Sequence, residues 1–296
     1  MILQPPATLL VGPSGSGKTS AIATQLLAGL EVFVVMTEPG GVESLLDSVT
    51  RLGAKVDRLH WTTCLPAAAG WSGIEEMITK INTMDQKGLA DVRDMGKSGF
   101  RDAAMRFLNA FRSFKCERTG IEFGDFTLWD DTRAMNVDSL TGWSAMAWGT
   151  TVGFKPTANP GEWGIAQNFI EKFLLKINND RKCFFTLTAH LEKEMDDMTG
   201  VKRLMVSTLG AKLAPKIPAF FSEVVRTYRE VDPKGNAAFR WSTLASDQDL
   251  KNRALPISSN LQPSFVQIVD AYKRRKTLAA GPATPVTSLQ PATVAS

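Results

Sequence analysis

Leu9-Leu10-Val11-Gly12-Pro13-Ser14-Gly15-Ser16-Gly17-Lys18-Thr19-Ser20 is the stretch on which the reading of this chain turns. An apolar run enters a loop of the pattern G-x-x-x-x-G-K-[ST] at Gly12, and Lys18 opens a stretch with Ile22, Leu26, Leu27 and Leu30 at helical spacing. Strand, glycine loop and helix in that order are what the motif needs. Glycines let the backbone close around phosphates with its N–H groups turned inward, and the helix start adds the positive end of its dipole. Residues Gly12 to Ser20 are therefore the expected phosphate cradle. Lys18 is expected to reach the β- and γ-phosphates of ATP, and the Thr19 hydroxyl to ligate Mg²⁺.

Working outward, Val32-Phe33-Val34-Val35-Met36 reads as a central parallel strand buried on both faces. Val42 to Leu52 reads as a helix, Arg58 to Trp61 as a short strand and Ile74 to Met84 as another helix. From Gln86 to Asp125 charges are dense and glycines frequent, with one helix expected at Arg101–Phe114. This segment is taken as an insertion. The alternation resumes with a strand ending at Asp138, a helix around Trp163 to Asn179, and the apolar strand Cys183–Ala189. Val224–Glu230 and Ala238–Ser242 flank the turn sequence Asp232-Pro233-Lys234-Gly235 and predict a C-terminal β-hairpin. The expected class is α/β, a mainly parallel central sheet flanked by helices, forming one domain over 1–275 with a disordered tail over 276–296.

The chain has 34 Lys plus Arg against 30 Asp plus Glu. Lys273-Arg274-Arg275-Lys276 accounts for the whole excess, so residues 1–272 are neutral overall and any nucleic-acid footprint must be local. Three widely spaced cysteines argue against a disulfide framework, and two histidines without a CxxC pair argue against structural zinc. No apolar run approaches the roughly 20 residues that span a bilayer, and the start MILQPPAT lacks the form of a signal peptide. A cytoplasmic protein without a membrane partner is expected.

A phosphate loop needs an acidic partner at the end of another core strand to hold Mg²⁺ through water, and Asp138 in Arg133-Ala134-Met135-Asn136-Val137-Asp138 is the candidate. The alternative is that Asp138 only caps the next helix. Asp130 and Asp131 are the fallback. Ser139 rather than glutamate follows Asp138, which disfavours motors that take their base there. Glu38 closes the second strand, placed either to orient a water on the γ-phosphate or as a solvated turn acid.

The phosphate loop, a glutamate closing the next strand, Val137-Asp138-Ser139-Leu140-Thr141-Gly142-Trp143, and the later Thr188-Ala189-His190 resemble the RecA-like P-loop ATPases. The nearest likeness is to a phage-encoded branch linked to recombination and single-strand annealing. Leu209 to Lys212 and Phe220 to Val224 also look like that branch, and the resemblance covers roughly residues 7–272, with 86–125 poorly matched. It implies that Glu38 is the catalytic carboxylate, that His190 senses the γ-phosphate, and that Lys251-Asn252-Arg253 offers Arg253 as an arginine finger to a neighbouring subunit in a ring or filament. A satisfied strand-end histidine and a solvated basic pair are the ordinary alternatives. The resemblance also implies two DNA-facing loops, Gly142–Trp163 with Trp143, Trp148, Phe154, Lys155 and Trp163, and Leu191–Ala214 with Lys193, Lys202, Arg203 and Lys212. Stacking on such aromatics suits single-stranded DNA, whereas burial in a core is the commoner use of tryptophan. The function so implied is Mg²⁺-dependent ATP hydrolysis coupled to single-stranded DNA in phage recombination, annealing or replication, by a homo-oligomer. A helicase or packaging motor and a small-molecule kinase are the alternatives.

Overall fold

The computed structural model describes residues 3–67, 71–83, 97–153, 158–195, 202–210, 212–231 and 233–280. In chain order the elements are β1 (Ala7–Val11), α1 (Lys18–Leu27), β2 (Glu31–Met36), α2 (Gly41–Leu52), β3 (Leu59–Thr63), α3 (Trp71–Thr83), α4 (Lys97–Arg112), β4 (Phe114–Lys115) and β5 (Glu122–Gly124). There follow β6 (Arg133–Asp138), α5 (Leu140–Val152), α6 (Pro160–Asp180), β7 (Phe184–Ala189), β8 (Leu191–Met195), β9 (Lys202–Val206), β10 (Glu223–Val231), β11 (Ala237–Ser242) and α7 (Val266–Ala280).

Seven strands form one sheet in the order β11-β10-β1-β7-β6-β2-β3. Every neighbouring pair is parallel except β10 with β11, which is the antiparallel C-terminal hairpin. The protein is thus an α/β protein with a mainly parallel central sheet flanked by helices and closed by a C-terminal hairpin, the class expected from the sequence. Alternation along the strands sorts the core into two layers. Leu9, Val11, Phe33, Val35, Met135, Val137, Phe185 and Leu187 face α4, α5 and α6. On the other side Val32, Val34, Met36, Ala134 and Phe184 face α1, α2 and the Val269–Tyr272 turn of α7, and Leu10 and Val225 pack with Ala21 and Ile268.

The described part of the 86–125 segment is built into the main core. Phe107 stacks on Trp143 at 4.0 Å between ring centroids, and Phe111 packs against Phe126 and Phe173. Its helix begins at Lys97 and ends at Arg112, two residues before the expected end, because Phe114 enters β4. Residues 86–96 and Met84 lie outside the described residues.

The larger departure from expectation is α5, which occupies most of what reads as the first DNA-facing loop. Trp143 is fully buried, and Trp148 packs on Trp163 with centroids 4.2 Å apart. The helix LTGWSAMAWGTTV carries apolar residues all round because it is sandwiched between the sheet, α4 and α6, so it has no amphipathic stripe for a sequence pattern to reveal. Trp143 is therefore a core residue and not a stacking platform. Phe154 and Lys155 lie outside the described residues. The second expected loop contains the antiparallel hairpin β8–β9. Helix α7 continues to Ala280, past the expected start of the tail at 276, and 281–296 lie outside the described residues. Among the described residues no helix is long and apolar enough to cross a membrane.

Candidate functional site

Parallel strands put the C-terminal ends of β1, β2, β6 and β7 on one edge of the sheet, where open α/β sheets hold their ligands. Gly12 follows Val11 there. A Cβ on Gly12 would meet the Thr227 hydroxyl at 2.3 Å and its carbonyl at 2.4 Å, so only glycine lets the loop pass β10. Ser16 then ties the loop to the same threonine through a 2.7 Å hydroxyl contact. Gly17 sits at φ 88°, a left-handed conformation, with the Phe239 ring of β11 2.6 Å from where a Cβ would stand. No side chain caps the first turn of α1, which leaves its N–H groups available to an anion.

Lys18 is almost fully buried, and its ammonium donates to the carbonyls of Gly12 (2.9 Å) and Pro13 (2.8 Å). Burial lowers its pKa, while Asp138 and then Glu38 oppose that by attraction. The Thr19 hydroxyl donates to Asp138 Oδ2 at 2.6 Å, and Thr188 on β7 donates to the other carboxylate oxygen. Asp138 is 5% exposed. Burial raises its pKa against those two hydrogen bonds, and the nearby Glu38 adds to the rise. The cap of α5 is Ser139, whose hydroxyl accepts from Gly142 N at 3.4 Å, so Asp138 points at Thr19 and does not act as the helix cap. Asp130 and Asp131 are at the other end of β6. Asp130 caps its own turn through Thr132 N (2.9 Å), and Asp131 accepts from the Tyr272 hydroxyl (3.0 Å).

Glu38 leaves β2 one strand away. Ser139 donates to its Oε1, and His190 Nε2 lies 3.3 Å from the same oxygen and 3.4 Å from Oε2. The His190 hydrogen bond holds the Glu38 carboxyl below its ordinary pKa, outweighing desolvation, with help from Ser139. His190 Nδ1 is 3.4 Å from Lys18 Nζ. Because Lys18 can only donate, this arrangement assigns the imidazole its proton on Nε2, directed at Glu38. Thr37 closes the circle: its hydroxyl donates to Ser139 O (2.8 Å) and accepts from Ser139 N (2.7 Å) across the cis Asp138–Ser139 peptide.

Lys18, Thr19, Glu38, Asp138 and His190 line one open cleft of about 650 Å³ that begins at the phosphate loop. A second, apolar recess of about 330 Å³ adjoins it beyond Gly17, walled by Phe239, Ala21, Leu52, Thr24 and Arg51. Ser139, Thr37, Thr227 and Phe239 escape a motif reading. Ser139 is flagged only by following Asp138, and Phe239 comes from a strand more than two hundred residues from the loop it covers.

Arg253 does not join this cleft. It follows a bridge between Lys251 and Val224 at the start of β10, the opposite edge of the sheet, with its backbone N–H donating to buried Glu223 (3.0 Å). Lys251 donates to Pro218 O (2.9 Å), closing the turn before β10. On β8–β9, Lys193, Glu194 and Arg203 are spread along a ladder of mixed charge that begins next to His190, and Ser207 N donates to His190 O at 2.8 Å.

No protein-family model matches the chain, and no curated protein matches it. Among solved structures, a prototypical ATPase from the type III secretion system of pathogenic bacteria aligns over 77% of this chain at 9% identity and a TM-score of 0.39. The chain spans 51% of that ATPase, about half its length. The RadB recombinase aligns over 83% of this chain and 91% of its own, at 14% identity and a TM-score of 0.36. Likenesses of this size do not identify a family, and the fold assignment rests on the strand order and the phosphate loop.

Proposed function

We propose that the protein binds ATP with Mg²⁺ at the edge cleft and hydrolyses it. The observation that carries this reading is the convergence of Lys18, Thr19, Asp138, Glu38 and His190, from four separate strand ends, on the phosphate loop. The loop N–H groups and Lys18 hold the β- and γ-phosphates. Thr19 and Asp138 fit Mg²⁺: a hydroxyl and a buried carboxylate already face each other, and burial leaves that carboxylate in need of positive charge. The metal, when bound, neutralises charge on the phosphate oxygens. Glu38, kept ionised by His190 and Ser139, orients and deprotonates the attacking water. His190 bridges Lys18 and Glu38, so contact of Lys18 with a γ-phosphate would disturb the imidazole and, through its carbonyl bond to Ser207, the β8–β9 hairpin. The adenine ring fits the apolar recess against Phe239.

Coupling to single-stranded DNA in recombination, annealing or replication, within a phage-encoded homo-oligomer, is the finer reading that the sequence resemblance supports. In an oligomer Arg253, exposed at the opposite edge, is free to approach a neighbour's cleft. Steady-state ATP hydrolysis by wild-type and Lys18→Ala protein, with and without single-stranded DNA at low salt, tests both levels. Turnover lost in the variant supports the ATPase, and stimulation by DNA supports the coupling. Hydrolysis indifferent to DNA would leave an ATPase of another purpose, and absent hydrolysis would overturn the proposal.

A further inference from the structure

The edge of the sheet opposite the cleft collects the basic run of α7. Ile268, Val269, Ala271 and Tyr272 are buried, and every residue from Lys273 to Ala280 is exposed, so the last two turns project from the body with the four cations on them. Arg275 donates to the backbone carbonyl of Arg253, which places the exposed Arg253 side chain beside the run. Between Lys273 and Lys276 on one side and exposed Arg58 on the other lies a cleft of about 570 Å³.

Counter-charges at this edge are mostly committed. Asp131 takes both Lys276 and the Tyr272 hydroxyl, Asp130 is held by Thr132, Glu31 pairs with Arg133 at 2.8 Å and faces His60, and Glu223 is buried under the Arg253 and Ala254 amides. Asp57, Asp249 and Asp270 are the remaining exposed acids on the flanking segments. Positive charge near a helix C-terminus gains only about 0.3–1 kcal/mol from the dipole. Like charges one turn apart, such as Lys273 and Lys276, repel. Residues 1–272 are neutral overall, so the chain's excess of 34 basic over 30 acidic residues equals the charge of this four-residue run.

We propose that this surface, formed by Lys273, Arg274, Arg275 and Lys276 with Arg58 and Arg253 alongside, binds the phosphodiester backbone of a nucleic acid without reading its bases. The site is separate from the ATP cleft and stands independently of the chemistry there. Among the described residues of this edge no aromatic side chain is exposed for stacking, so the affinity is electrostatic and sequence-tolerant.

The test is fluorescence anisotropy of a labelled oligo-dT strand titrated with the full chain over a range of salt concentrations. Changing Lys273, Arg274, Arg275 and Lys276 to Gln together is expected to weaken binding about tenfold or more at low salt. It is also expected to flatten the salt dependence by roughly 2–3 in log–log slope, at about 0.7 per lost phosphate contact. The charge-conserving variant Lys273→Arg, Arg274→Lys, Arg275→Lys, Lys276→Arg is expected to bind like wild type, which separates charge from misfolding. Lys18→Ala is expected to bind the strand unchanged. Wild-type affinity and slope in the Gln variant would overturn the proposal, as would wild-type protein that binds phosphatidylserine vesicles but no oligonucleotide. Intact strand binding by a wild-type protein that hydrolyses no ATP would sink the cleft reading alone.

Discussion

Glu38 is held from two sides, by an imidazole that also touches Lys18 and by a hydroxyl that the helix α5 cap supplies. Both contacts favour the carboxylate, so its pKa lies below the ordinary value and its ionised form persists as pH falls. With Mg²⁺ saturating, so that Asp138 is held ionised, activity that depends on the Glu38 carboxylate is lost only as pH drops through its depressed pKa, and that step should lie below where an unperturbed glutamate would put it. Glu38→Gln is expected to reduce turnover roughly 10²–10⁴-fold while leaving nucleotide affinity close to wild type, measured by kcat against nucleotide titration. Ser139→Ala keeps the carboxylate and removes one donor. It should move the acid limb upward at a nearly unchanged plateau, and an unmoved limb would show that Ser139 does not tune Glu38. Phe239→Ala should weaken ATP binding by about 1–3 kcal/mol if the base stacks on that ring, read by calorimetry.

At the scale of elements, α5 is the part that a linear reading misplaces, while α4 stands close to where it was expected but packs deep in the core. The 86–125 segment looks like a polar excursion because its glycines and charges dominate the count. Yet Phe107, Phe111 and Phe114 all lie inside the larger of the two hydrophobic layers. Phe107→Ala should therefore cost about 3–5 kcal/mol of unfolding free energy, checked by denaturant titration. A peripheral insertion would show well under 1 kcal/mol. The intrinsic fluorescence of Trp143 should likewise stay unaltered when DNA is added to a protein retaining this tryptophan alone, because the ring is sealed between Phe107 and Phe173.

For the whole molecule, the cleft gathers a buried lysine and a buried carboxylate whose burial each costs free energy until a ligand offsets it. Mg²⁺ and ATP together should raise the thermal midpoint by roughly 5 °C at a hundredfold excess over Kd, from about 2.7 kcal/mol of linkage spread over a chain of this size. Chelating the metal should remove most of that shift, and Lys18→Ala should remove nearly all of it. A midpoint that ignores nucleotide would contradict binding at this cleft. The polarity of the molecule follows from the parallel sheet: Thr19, Glu38, Asp138 and His190 collect at its carboxyl edge, and the basic turns of α7 lie beyond the amino ends.

Local pattern by itself determined the phosphate loop, its flanking strand and helix, the buried strands at Val32–Met36 and Cys183–Ala189, and the hairpin about Pro233-Lys234-Gly235. Each of these is written in a period, a run or a turn that a few consecutive residues contain. It also singled out Asp138 and Glu38, each an acid that ends an apolar strand, whereas His190 came forward only through the resemblance. Tertiary structure alone decided what those residues touch. That Thr19 meets Asp138, that Ser139 and His190 grip one carboxylate, and that Phe239 lies over Gly17 all depend on strands being laid in the order β1-β7-β6-β2, with β11 folded back beyond β10. It also decided that a stripe-less stretch such as Leu140–Val152 is helical along its whole length, since burial around most of its circumference removes the periodicity that would have announced it. Likewise it set Arg253 and the basic end of α7 side by side, and on the far edge from the cleft, a distance that no spacing along the chain encodes.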